Sequence, residues 1–300
     1  MGSFFNSFFK GIARKTKKEA VRLVDTIAED TAVGRVDPVL GNLQTGVILG
    51  RQNLPCPVPI PNFGQDPWNV IHKRKIIHAK ITPNDDTSFT VEYVGGKVGS
   101  ASGFGFHASP THVFPALHAR LSYKVYFPED FDWVRGGKLP GLFIGNPGAT
   151  GGHWDYKAGS ARVTWQKDGI ASVYLYIPLQ VSFDGHKEEA IRIQSEEFHK
   201  VCHKTPHKGC HLWRSGPLRF EKGQWNEVTI ELNMNAVGKK NGFLKLTVNG
   251  NTVECHGMVW RKTPHLAIGG VSVQTFYGGS TPEAAAPMTG SYTKFKDFVV

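Results

Sequence analysis

A chain of 300 residues is long enough for one large all-β domain or two small ones. No stretch approaches the roughly 20 apolar residues of a membrane-spanning helix, and four cysteines, Cys56, Cys202, Cys210 and Cys255, are too few for a disulfide framework at this length. Thirty-five Lys and Arg against 25 Asp and Glu give a net charge of +10, of which residues 1–30 carry only +2, so the body of the chain is basic and suits a polyanionic partner.

The chain opens with an arm, residues 1–33. Phe5, Phe8, Phe9 and Ile12 fall at helical spacing, followed by Lys10, Arg14, Lys15, Lys17, Lys18 and Arg22, with Val21, Val24 and Ile27 extending the apolar face. This predicts a short basic amphipathic helix, which either lies on a virion or membrane surface or packs on its own domain. It is a poor signal peptide, because the apolar cluster is short and its charges follow it. Asn6 stands where a myristoylation signal needs Ser or Thr. Residues 34–70, with the run LPCPVPIPNFGQDP, read as an extended Pro/Gly-rich linker packed on the domain.

Residues 71–300 carry strand signals. Phe89, Val91 and Tyr93 alternate with polar residues, as do Leu117 through Phe127, Val228 to Leu232, and Leu244, Leu246 and Val248 before the Asn249-Gly250 turn. The chain ends in the strand-like YTKFKDFVV, and within this domain only 186–198 has helical character. The expected fold is all-β, an antiparallel β-sandwich or jelly roll.

The segment 136–178 carries the chemistry. Ser160, Arg162, Thr164 and Gln166 share one strand face and Ala161, Val163 and Trp165 the other, while Tyr174 and Tyr176 oppose Val173, Leu175 and Ile177 on the next strand. A two-residue Asp168-Gly169 turn would pair Val163 with Tyr174 and mix the faces. A three-residue loop, Lys167 to Gly169 with Gly169 left-handed, pairs Gln166 with Ile170, Arg162 with Tyr174 and Ser160 with Tyr176. The result is an Arg, a Ser and two Tyr on the face away from the core. That set suits β-elimination on a uronate. A cation neutralises the carboxylate and stabilises the developing enolate, Arg being a fixed bidentate partner. A base removes the C5 proton and an acid protonates the departing O4; Tyr can donate a proton, and can accept one where positive charge lowers its pKa.

GGKLPGL, SARVTW and VYLYIP, supported by FHASP, YFPEDFDW, GQWNEVTIELN and QTFYGGS…FKDF, resemble the motifs of polysaccharide lyase family 14 over roughly residues 75–300. That family comprises alginate and glucuronate lyases of algal viruses and marine molluscs, with fungal glucuronan lyases related to it. The resemblance implies a jelly roll with a cationic cleft and metal-independent, cofactor-free endo-type cleavage. It carries functional roles onto Lys138, Ser160, Arg162, Tyr174 and Tyr176: Lys138 and Arg162 bind and neutralise acidic sugar, the Tyr pair supplies acid and base, and Ser160 orients substrate. The loop GNPGATGGHWDYKAG departs from the family pattern. An arm without a signal peptide accords with virion-associated or extracellular action by a virus-carried enzyme.

Other readings stand beside these. Lys138, between glycines and a proline, also reads as a turn residue, and Arg162 with the two Tyr as a solvated sheet face. His153 is a candidate second base or sugar contact, as are Gln166 and Gln274 for sugar. The run His199, Cys202, His203, His207, Cys210, His211 lacks a known zinc-ligand spacing, so a Cys202–Cys210 disulfide, or thiols with exposed His, is expected and no metal. No nucleic-acid recognition motif is present. A catalytically inactive carbohydrate-binding or structural virion protein on the same fold is the alternative function.

Overall fold

The computed structural model describes residues 52–57, 67–71, 76–110, 112–147, 149, 157–178, 191–204 and 209–300. The expected amphipathic arm, much of the linker, His153 and His207 lie outside the described residues. Sixteen strands are described: β1 Asn53–Leu54, β2 Ile76–Ile77, β3 Lys80–Pro83, β4 Phe89–Tyr93, β5 Phe104–Ala108, β6 His118–Tyr126, β7 Gly136–Gly145, β8 Ala158–Gln166, β9 Ala171–Tyr176, β10 Cys202–Lys204, β11 Cys210–Leu212, β12 Trp225–Asn233, β13 Gly242–Val248, β14 Asn251–Met258, β15 Ile268–Tyr277 and β16 Ser291–Val299. They form two antiparallel sheets. One runs β14-β13-β12-β6-β16-β4-β3, with β1 also on β16; the other runs β10-β11-β9-β8-β7-β15-β5-β2.

The sandwich follows from the alternation. In the first sheet Phe89, Val91, Leu121, Tyr123, Val125, Val228, Ile230, Leu232, Leu244 and Leu246 are buried, while their neighbours within the strands are half-buried or exposed. They face Phe104, Phe106, Val163, Trp165, Val173, Leu175, Val271 and Val273 of the second sheet, all buried. Phe89 meets Phe104 edge-on at 6.0 Å and Tyr93 lies 6.2 Å from Trp165. Burying one such side chain contributes about 1.5–3 kcal/mol. In the described part of the linker, Trp68 is fully buried between Phe106 and Phe298, and its indole N–H donates to the Pro55 carbonyl.

The turns behave as their residues require. Asn249 and Gly250 are both left-handed, at φ 50° and 79°, and close the β13–β14 hairpin in two residues. Between β8 and β9, Gly169 takes φ 72° and the Gln166 N–H donates to the Ile170 carbonyl. Arg162 therefore pairs with Tyr174 and Ser160 with Tyr176, while Val163 faces Val173, the register that keeps both faces consistent. Asp168 is also left-handed, at φ 61°. Of the 186–198 segment, 186–190 lie outside the described residues, Ile191 and Arg192 are helical, and a helix α1 spans Glu196–Val201, its start set by the Ser195 hydroxyl, which accepts from the Phe198 N–H.

The two sheets differ on their second faces. The first is half-open to solvent; every residue of β8 and β9 is buried. The polar face of β8 and β9 is thus not a solvated sheet surface.

Candidate active site

The covered face of the second sheet forms a cleft of about 800 Å³, walled by residues from β5, β7, β8, β9, β11 and β15. Lys138, Arg162, Gln166, Tyr174, Tyr176 and Gln274 all line it.

Lys138 sits inside β7 and reaches the cleft because of a bulge. Lys138 pairs with Thr164 and Gly141 with Arg162, so three steps along β7 match two along β8. Without the extra residue Lys138 would turn to the core while Gly141 kept to the cleft. Pro140 explains the bulge, since it has no N–H for a central ladder, and its carbonyl accepts from the Tyr123 hydroxyl at 3.2 Å. Lys138 is therefore a strand residue rather than a turn residue.

Its ammonium lies 4.0 Å from the centre of the Tyr174 ring. Burial, and after it the Arg162 charge, holds the Lys138 pKa well below the ordinary lysine value. Arg162 is buried, with its guanidinium 5.7 Å from the Tyr176 ring and Nη1 donating to Gln274 Oε1 at 3.1 Å. Burial lowers its pKa as well, opposed by Tyr176 and Tyr174; guanidinium remains charged regardless. The two phenol rings meet edge-on at 5.3 Å. Two cations and two phenols therefore share one covered wall.

The remaining predicted residues divide. Ser160 is buried and donates to the Ala149 carbonyl at 3.0 Å. With Ala149 it lines a small hollow that adjoins the cleft and shares His107, Arg162 and Gln274 with it. Gln166 lines the cleft with its amide nitrogen donating to the Thr164 and Ser172 hydroxyls, both at 3.0 Å. Gln274 is tied to Arg162 and to His107, whose Nε2 lies 3.3 Å from Gln274 Nε2.

Two histidines were missed. His107 in FHASP faces the cleft because Phe104 and Phe106 occupy the core side of β5. His211 pairs with Tyr174 in register and packs 4.6 Å from its ring, edge-on, with Nδ1 buried and, among the described residues, without a hydrogen-bond partner. Burial, then Lys138, Arg214 and His203, keeps its pKa well below the ordinary histidine value. Of the described histidines in this run, His199 and His203 are exposed as expected, but His211 is buried because β11 is an inner strand of the sheet. Cys202 pairs with Leu212 and Cys210 with Lys204, and the cysteines are thiols, so no disulfide closes the β10–β11 hairpin. Among the described residues no three His, Cys, Asp or Glu side chains are grouped as a metal site.

Comparisons with known proteins bear on this geometry. The sequence model described as Polysaccharide lyase 14 matches residues 82–298. The crystal structure of a marine PL-14 alginate lyase from Aplysia kurodai superimposes with a TM-score of 0.67 at 25% identity, covering 85% of this chain and 99% of that one. The alginate lyase vAL-1 from Chlorella virus gives 0.62 at 24% identity, covering 78% and 92%. Exolysin of Paramecium bursaria Chlorella virus 1 is 24% identical over 194 residues, 59% of this chain; the match spans only 28% of that relative's length.

Proposed function

Since the chain belongs to the polysaccharide lyase 14 family, we propose that its cleft cuts an acidic, uronate-containing polysaccharide by β-elimination without a metal. One observation carries the reading. Lys138 and Arg162 lie against the rings of Tyr174 and Tyr176, at 4.0 and 5.7 Å, in the wall of a single cleft.

The carboxylate of one sugar sits on Lys138 and Arg162, which neutralise it and stabilise the enolate. One phenol, as phenolate, takes the C5 proton. The C4–C5 double bond forms, the C4–O4 bond breaks, and O4 leaves with a proton from the other phenol. Ser160 contributes by fixing the Ala149 carbonyl beside the Tyr pair. Both structural relatives are alginate lyases, which supports alginate or a similar acidic polymer as the substrate. The viral source of two relatives supports a virion-carried or extracellular place of action, with the basic arm 1–33 as a surface contact.

Incubation with alginate, glucuronan and cell-wall extract should raise the ultraviolet absorbance of unsaturated uronate. Tyr174→Phe and Tyr176→Phe should each lower kcat by about 10²–10⁴-fold, and a chelator should leave the rate unchanged. Absence of product from every acidic polysaccharide would favour a binding module, and a rate abolished by chelator would contradict the metal-free mechanism.

A further inference from the structure

Four buried side chains form a chain of hydrogen bonds in the cleft wall and just beside it: Arg162, Gln274, His107 and Ser272. Arg162 Nη1 donates to Gln274 Oε1 at 3.1 Å, Gln274 Nε2 lies 3.3 Å from His107 Nε2, and His107 Nδ1 lies 2.9 Å from Ser272 Oγ. Their donors and acceptors allow one arrangement. Guanidinium has donors only, so the amide of Gln274 must give it the oxygen. The amide nitrogen then faces His107, and two N–H groups cannot face each other. His107 Nε2 therefore accepts, and its proton sits on Nδ1, donated to the Ser272 hydroxyl.

We infer that His107 is a positioning residue for Arg162: as the neutral Nδ1–H tautomer it locks the Gln274 amide with its oxygen toward the guanidinium. This rests on the lyase reading, since Arg162 matters there as the carboxylate partner. An imidazole whose Nε2 carries a proton opposes the Gln274 amide. The amide must then turn over and present its own N–H groups to Arg162, or give up one of the two contacts. In a buried site an unmet donor is costly, so the alternatives are well separated in energy. The backbone leaves room for this arrangement. A β-carbon on Gly105, opposite Gln274 in the ladder, would come within 2.7 Å of Gln274 Cγ.

Two measurements test it. The first is the tautomer of His107, read from the nitrogen and carbon shifts of the imidazole in labelled enzyme near neutral pH, assigned by its absence in His107→Phe. The neutral Nδ1–H form is expected in the wild type, and loss of its dominance in Gln274→Leu. A predominant Nε2–H or doubly protonated ring in the wild type would overturn the inference. This arm decides the matter even if no polysaccharide is cut, so it can fail independently of the lyase reading. The second is kinetic. His107→Phe keeps the ring but removes the acceptor, and should lower kcat/KM about tenfold or more, the effect of one hydrogen bond to a charged group. His107→Gln restores an acceptor near the Nε2 position and should recover most of that loss. Equal kinetics for His107→Phe and wild type, or equal damage from both variants, would refute the role.

Discussion

Lys138 combines two demands that oppose each other. Its ammonium is wanted beside Tyr174 and Arg162, where both burial and a like charge disfavour it. A lysine whose folded pKa is depressed binds fewer protons folded than unfolded. Its presence therefore lowers stability below the folded pKa, and the deficit fades as pH rises toward the ordinary lysine value near ~10.4. Lys138→Met, similar in length and uncharged, should raise stability at neutral pH by about 1 kcal/mol while abolishing activity. Urea unfolding at neutral pH and near pH ~10 checks this, with the gap between variant and wild type narrowing at the higher pH. The alkaline limb of kcat/KM should also begin at a lower pH than an ordinary lysine would give, since the neutral amine no longer binds carboxylate.

At the scale of elements, the β8–β9 hairpin was legible because apolar and polar residues alternate without interruption and the turn offers one face-consistent length. The bulge in β7 was not, since GGKLPGL lacks alternation and its Pro reads as turn punctuation. The β10–β11 hairpin was illegible for a related reason. Cys, His, Gly and Pro suggest metals and disulfides, and three-residue strands are too short to show a period. Yet that hairpin covers the phenol of Tyr174. A β-carbon on Gly209 would overlap both Cζ and the hydroxyl of Tyr174. Gly209→Ala should therefore lower kcat by about tenfold or more through displacement of that ring, with a smaller effect on the melting temperature. Unchanged kcat would show that the hairpin yields freely.

The whole molecule extends beyond the matched family region. That match begins at residue 82, but Trp68 is fully buried against Phe106 and Phe298, one from each sheet. Trp68→Ala should cost about 3–5 kcal/mol, measured by denaturant unfolding, and Phe106 is the immediate neighbour of His107. The cleft belongs to the same scale. His107, Lys138, Arg162, Tyr174, His211 and Gln274 ride on β5, β7, β8, β9, β11 and β15, six strands that are contiguous neighbours in one sheet. No hinge can open this wall without breaking the ladder that defines the fold. The chemistry is thus inherited as a block, and divergence toward new polymers is left to the segments at the rim, such as Gly278 to Thr281, which can drift without disturbing a single cross-strand pair.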